Sequence, residues 1–233
     1  MIKRIVALIL ILNVTACAEL QQVINQMPQG GLGNAEIASG LREALDFGID
    51  KQVSKLTAED GFFKNELVKI LLPKELQKVD KALRDIGLEN LADEGLKVLN
   101  RAAEDAVKEA TPIFVSAVKD ITFADAKNIL IGSDNAATHY LTDKTQTALY
   151  GKFNPVIKSS FSKVGADQIW ENLINRYNSI PFTNNVNPDL TDYVTGEALK
   201  GVYTMIAVEE KEIRNKVSSR TTDLLKKVFA LQD

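Results

Sequence analysis

The sequence has few of the residues that build covalent or metal-bound frameworks. One cysteine, one histidine and one tryptophan occur among 233 residues. A single cysteine excludes an internal disulfide, and a single histidine excludes a multi-histidine metal centre. We therefore expect neither a metal nor another cofactor. The formal net charge is -3, which is unsuited to holding nucleic acid electrostatically, so we expect no nucleic-acid partner.

The N-terminal apolar run is too short to span a bilayer as a helix. It covers residues 5–12 and follows Lys3 and Arg4, which is the pattern of a secretory signal peptide. Small residues then precede Cys17, as in a bacterial lipobox. We predict that residues 1–16 are removed and that Cys17 is lipidated. An ordinary secretory signal, cut near Ala16 or Ala18, is the alternative.

Residues 17–34 are rich in glutamine, asparagine and glycine. Such a composition predicts a flexible tether that follows the lipidated cysteine. The remaining segment, 35–233, is predicted to be the folded domain. Ala18 follows the cysteine instead of the aspartate that typically retains lipoproteins in the inner membrane. The expected location is therefore the outer membrane, with the domain facing the periplasm and the lipid as its membrane contact.

Apolar residues of the folded part recur every three to four positions, beginning with Ile37, Leu41, Leu45 and Ile49. This period predicts amphipathic helices, and no long alternating strand pattern is present. We expect a single all-α domain of roughly eight helices, some of them kinked at proline. A helical stretch is expected over 67–72, a division near Pro112 and a new helix start at Pro155.

Three groups of polar residues are candidates for a binding site. The first cluster comprises Asn100, Arg101, Glu104, Asp105 and Lys108. The second cluster lies at two successive helix starts and comprises Asp125, Lys127, Asp134, Asn135 and Thr138. The third cluster comprises Arg214, Arg220, Thr221, Thr222 and Asp223. Arginines beside threonine hydroxyls are suited to binding a carboxylate or a phosphate.

Each cluster also has a structural interpretation, which we favour. The first is explained by charge pairs along a helix, and the second by helix capping with Ser133 or Asp134 before the next helix. The arginines of the third cluster are suited to pairing with Glu210 or Asp223. Glu209 and Glu212 have the spacing of a solvated helix face. His139 lacks a recognisable nucleophile motif, so no catalytic residue is assigned.

The same segments resemble the bacterial domain-of-unknown-function family 4197, a group of secreted or lipid-anchored proteins. The resemblance covers about residues 35–230. It is carried by GLREAL at 40–45, DGFF at 60–63, NRAAE at 100–104, TFADAKNIL at 122–130, NAATHY at 135–140, KT at 144–145, YVT at 193–195, EKEIR at 210–214 and RTTDLLKKVF at 220–229. It implies a helical fold and an envelope location, but no activity.

We expect a lipid-anchored helical module that binds another protein of the cell envelope. Two alternatives remain open from the sequence. One is a carrier that holds a lipid or another hydrophobic ligand in a helical cavity, and the other is an envelope hydrolase. We favour a binding role over an enzymatic one because no catalytic motif is present.

Overall fold

The computed structural model describes residues 33–74, 77, 81, 84–87, 89–179, 181–182 and 185–232. Within these residues, eight α-helices have defined bounds, a short 3-10 helix is present at Val217–Ser219, and no strand occurs. The helices are α1 (Asn34–Thr57), α2 (Glu89–Val107), α3 (Ala110–Lys119), α4 (Phe123–Leu130), α5 (Ala136–Ser162), α6 (Ala166–Asn178), α7 (Leu190–Asn215) and α8 (Asp223–Phe229). The all-α prediction is confirmed. The predicted signal peptide, Cys17 and nearly all of the tether lie outside the described residues.

The long helices α5 and α7 pack against each other, and the remaining helices surround them. Helix α1 packs along α7 and also contacts α3, α4 and α8, while α2 and α3 pack on α5. The apolar stripe predicted from Leu41 and its periodic partners is the buried face of α1. Among the described helices, none is long and apolar enough to cross a membrane.

Pro112 and Pro155 have different effects. The expected division near Pro112 is confirmed, because α2 ends at Val107 and α3 begins at Ala110, which leaves Pro112 in the first turn of α3. A proline in a first turn removes no intrahelical hydrogen bond. The new helix start expected at Pro155 is wrong, because α5 continues through this residue.

The continuation of α5 through Pro155 follows from its packing. A proline inside a helix removes the hydrogen bond to the carbonyl four residues earlier, which here belongs to Gly151. A Cβ at Gly151 would meet no neighbour within 4 Å, so this part of the helix is uncrowded. The buried side chains of Phe153, Ile157 and Phe161 hold both halves of α5 in the core.

The helical stretch expected over 67–72 is also wrong. Residues 69–73 adopt no helix or turn after a series of turns that follows α1. The apolar residues of this segment alternate between inside and outside, since Val68 and Ile70 are buried while Leu67 and Leu71 are exposed. A side chain of α2 takes over the backbone hydrogen bonding of Ile70, as described below.

Gly201 of α7 provides a test of this packing. A Cβ at Gly201 would lie 2.7 Å from Cε1 of Phe62 and 3.3 Å from Cβ of Val68. We expect Gly201→Ala to lower the free energy of unfolding by about 1–3 kcal/mol through overpacking. Gly196→Ala on the same helix meets no neighbour within 4 Å and should instead stabilise the protein by about 0.5–1 kcal/mol. Urea unfolding measures both, and equal effects of the two substitutions would contradict this packing.

Candidate functional site

The first cluster joins α2 to the turn that follows α1. The Glu104 carboxylate is buried and accepts hydrogen bonds from the amide of Phe62 at 3.1 Å and from Arg101 at 2.7 Å. Arg101 also reaches the carboxylates of Glu59 and Asp60, each at 2.9 Å. These contacts hold Asp60 in a left-handed conformation with a φ of 64°. The hydrogen bond from Lys64 lowers the pKa of Asp60, and the Arg101 charge acts in the same direction.

Asn100 holds the irregular segment after this turn. Its side-chain oxygen accepts the Ile70 amide at 2.8 Å, and its side-chain nitrogen donates to the Ile70 carbonyl at 2.9 Å. The same nitrogen donates to the Leu96 carbonyl within α2 at 2.7 Å. The fully buried Asn100 side chain thus satisfies both backbone groups of Ile70, as a neighbouring strand would in a sheet. Lys108 pairs with Asp105 at 2.8 Å on the exposed side of α2, as the charge-pair interpretation expects.

The second cluster divides into separate parts. Asp125 and Thr122 form a capping box at the start of α4, in which the Thr122 amide and hydroxyl donate to the Asp125 carboxylate at 2.9 and 2.7 Å. Lys127 and Asp134 are exposed, and so is His139. The expected cap of α5 by Ser133 or Asp134 is wrong, because Asn135 is its N-cap and contributes no side-chain hydrogen bond to the helix.

A carboxylate from α7 provides the side-chain cap that Asn135 does not provide for α5. Glu210 accepts the amide hydrogen bonds of Ala137 and Thr138 at 2.8 Å each, and the Thr138 hydroxyl donates to it at 2.8 Å. A carboxylate at a helix N-terminus satisfies free amides and complements the positive end of the helix dipole.

Arg214 completes this arrangement at the neighbouring helix. Its Nε and Nη2 donate to Oε1 of Glu210 at 3.0 and 2.8 Å. Its two terminal nitrogens also donate to the carbonyls of Leu130 at 3.1 Å and Ile129 at 2.7 Å, at the C-terminal end of α4. Both side chains of the pair are only 5 % exposed. The pair therefore connects the end of α4 to the beginning of α5.

The third cluster closes the C-terminal end of α7. Arg220 is buried and donates to the carbonyls of Ile213 at 3.0 Å and Arg214 at 2.9 Å. Thr222 accepts the Leu225 amide at 3.2 Å as the N-cap of α8. Thr221 and Asp223 are exposed. These contacts anchor the last helix against the end of α7.

The structure brings the second and third clusters together at Thr138, Glu210 and Arg214. The first cluster instead holds residues 59–70. The solvated face expected for Glu209 and Glu212 is wrong for Glu209, which is 3 % exposed. Glu209 accepts a hydrogen bond from Gln52 and pairs with Lys51 at 2.6 Å. A sequence signal was present, because Val202, Ile206 and Ile213 have the spacing of an apolar face on which position 209 also falls.

Two concave regions lie beside this framework. A crevice of about 20 Å³ between α1 and α7 is lined mainly by apolar residues, with Glu209, Glu210 and Arg214 at its side. A larger groove of about 390 Å³ runs between α7 and the segment after α1. We call it the α7 groove, and its lining is Leu67, Val68, Lys69, Leu71, Leu72, Pro73, Lys74, Gln77, Tyr193, Glu197, Lys200, Gly201 and Thr204. Over the part of the chain that the structure describes, no group of three or more His, Cys, Asp or Glu side chains is arranged to hold a metal ion.

Comparison with known proteins gives one match. A family model described as protein of unknown function (DUF4197) matches residues 31–230 of the chain. No curated protein and no solved structure matches it.

The Glu210–Arg214 pair yields a sharp test because α7 carries a matched exposed pair. Glu210→Ala leaves a buried guanidinium uncompensated and frees the amides of Ala137 and Thr138. We expect it to lower the free energy of unfolding by about 3–5 kcal/mol. Glu212 and Lys216 have the same i,i+4 spacing but are exposed, so Glu212→Ala should lower it by less than about 1 kcal/mol. Denaturant unfolding compares the two variants, and a loss of similar size in both would contradict the assigned role.

The capping box of α4 predicts a pH dependence of stability. The hydrogen bonds that Thr122 donates lower the pKa of Asp125. A carboxyl group whose pKa is lowered by folding stabilises the protein above its unfolded-state pKa, and this contribution is lost as the pH falls through the folded-state pKa. Below about pH 4, the wild-type Tm should therefore fall more steeply than that of Asp125→Asn. Thr122→Ala removes one donor and should give an intermediate slope, whereas parallel Tm curves would refute the prediction.

Proposed function

Because the chain belongs to the DUF4197 family, whose description assigns no activity, we propose a function from its own residues. The protein is a lipid-anchored binding module of the cell envelope. Its Cys17 carries the lipid, and its helical domain faces the periplasm from the outer membrane. Its partner is another envelope protein.

The lipobox pattern before Cys17 supports the anchor, and the composition of residues 18–233 supports the compartment. Cys17 is the only cysteine of the chain. A folded domain without thiols is suited to an oxidising compartment, because it has none to be oxidised or mispaired. The tether composition of the residues that follow Cys17 allows the domain to reach away from the membrane surface.

One observation supports binding over catalysis: the buried polar side chains are used inside the fold, while the α7 groove is open at the surface. Glu104, Glu210, Arg214 and Arg220 all hold helix ends or turns. A catalytic group needs a free atom within reach of a substrate. The α7 groove presents side chains of both apolar and charged character in one concavity, which is typical of a recognition surface.

The carrier alternative has less support. The apolar crevice between α1 and α7 holds about 20 Å³, which is room for about one water molecule. A lipid chain would require the buried helices to separate and would expose core side chains such as Leu41 and Ile213. The hydrolase alternative has less support because Glu104, Thr138 and Arg220 are engaged in the contacts described above.

The proposal predicts two results in intact cells. Wild-type protein should fractionate with membranes, and Cys17→Ser should be released from them. A photoreactive amino acid at the exposed position Leu71, in the α7 groove, should give a discrete cross-linked adduct that mass spectrometry identifies as one envelope protein.

Ile131 is also exposed but lies at the end of α4, outside the α7 groove, and provides the control position. The same photoreactive residue there should not give that adduct. Membrane retention of Cys17→Ser would contradict the anchor. The same set of adducts at both positions, or none at Leu71, would contradict a partner at the α7 groove.

A further inference from the structure

The α7 groove has two walls from different parts of the chain. Residues of α7 at positions 193, 197, 200, 201 and 204 form one wall, and residues 67–69, 71–74 and 77 form the other. The helical wall extends over eleven residue steps from Tyr193 to Thr204, or about 16 Å at 1.5 Å per residue. An extended peptide of about five residues has this length.

Both walls are fixed by contacts within the protein. Asn100 holds Ile70 by both of its backbone groups, at 2.8 and 2.9 Å. The Tyr193 hydroxyl donates to the Leu71 carbonyl at 2.6 Å, and this bond joins the two walls directly. The ring of Tyr193 is stacked on Trp170, with centroids 6.2 Å apart. A groove held in this way requires little ordering when a ligand binds.

The described lining of the α7 groove has a positive net charge, whereas the net charge of the whole chain is negative. Among the residues that the structure describes, its charged lining consists of Lys69, Lys74 and Lys200 and one carboxylate, that of Glu197. That carboxylate lies 3.5 Å from the Lys200 ammonium group. The chain as a whole carries a formal charge of -3, so this basic groove is a local feature of the surface. Charge complementarity requires an anionic occupant.

The positions of these lysines distinguish a peptide from a lipid. Lys69 and Lys74 lie along one wall, and Lys200 lies on the other, with the exposed side chains of Leu67 and Leu71 nearby. A lipid carries its charge at one end and its apolar chain at the other. A peptide is able to present carboxylates and apolar side chains at intervals along its length, because side chains of an extended chain alternate.

We propose that the α7 groove binds an extended peptide segment in which acidic residues are interspersed with apolar ones. The inference rests on the proposed function as a binding module and names the chemistry of its partner. The acidic side chains pair with the lysines, and the apolar side chains cover Leu67 and Leu71. The segment belongs to another envelope protein.

Peptide selection tests the proposal without knowledge of the partner. The full chain is held in nanodiscs of phosphatidylcholine and exposed to a phage library of random ten-residue peptides. Selected peptides should be enriched in Asp and Glu together with Leu, Ile, Val or Phe. Their affinities are then measured by fluorescence anisotropy with synthetic labelled peptides.

Charge reversal at the α7 groove should weaken this binding. The double variant Lys74→Glu/Lys200→Glu should raise the Kd of selected peptides by at least roughly tenfold. Lys158 and Lys227 are exposed and lie outside the groove lining. The matched variant Lys158→Glu/Lys227→Glu makes the same change in net charge and should leave the Kd unaltered. Circular dichroism confirms that both variants are folded.

The proposal is overturned if no sequences are enriched, if basic peptides are selected, or if both double variants bind equally well.

Vesicles of anionic phosphatidylglycerol form a second arm of the experiment. If they bind the chain through the α7 groove and displace the selected peptides, the occupant is a lipid headgroup and the peptide proposal fails. A cellular cross-link at Leu71 without peptide selection would retain the proposed function and refute this inference alone.

Discussion

The buried ion pair of Glu210 and Arg214 lies between the end of α4 and the start of α5. Its contacts fix the arrangement of these helices. A buried ion pair stabilises a fold only when its remaining donors and acceptors are satisfied. Here the Glu210 carboxylate accepts two amides at the start of α5, and Arg214 donates to two carbonyls at the end of α4. The corner between α4 and α5 thus acquires one geometry, set by adjacent turns of α7. The same contacts attach the start of α5 to α7, against which it packs along the core.

The same use of polar groups recurs at the other irregular points of the chain. Asn100 satisfies the backbone of Ile70, and Arg220 closes the end of α7. Glu104 holds the turn after α1. Buried polar groups are costly unless they are hydrogen-bonded, so these contacts explain why such residues occupy a helical core. They occupy the polar atoms of the buried clusters, whereas the α7 groove is open at the surface.

The parts of the fold that depend on local periodicity could be predicted from the sequence. The stripe of α1, the capping box of Thr122 and Asp125, and the division near Pro112 all involve residues close together in the chain. The conformation of residues 69–73 depends on Asn100, which lies about thirty positions later. The apolar residues of this segment have a spacing compatible with a helix, but the distant side chains of Asn100 and Tyr193 hold its backbone in another conformation.

The sequence indicated which polar residues are candidates for a site, but not how these residues contact each other in space. Sequence spacing indicated that Arg214 is able to pair with Glu210, because four residues separate them. It did not indicate that Ala137 and Thr138 complete the site from another helix. The α7 groove was not predicted, because its walls come from separate segments that only the tertiary fold brings together.

Amide hydrogen exchange at Ala137 and Thr138 tests the central role of the Glu210–Arg214 pair most directly. First-turn amides of a helix ordinarily lack intrahelical partners and exchange through local fraying. If Glu210 holds these two amides as described, they should exchange only when the whole domain unfolds, at the rate of core amides such as that of Phe153. Exchange at the rate of a frayed first turn, in an otherwise protected α5, would contradict the account.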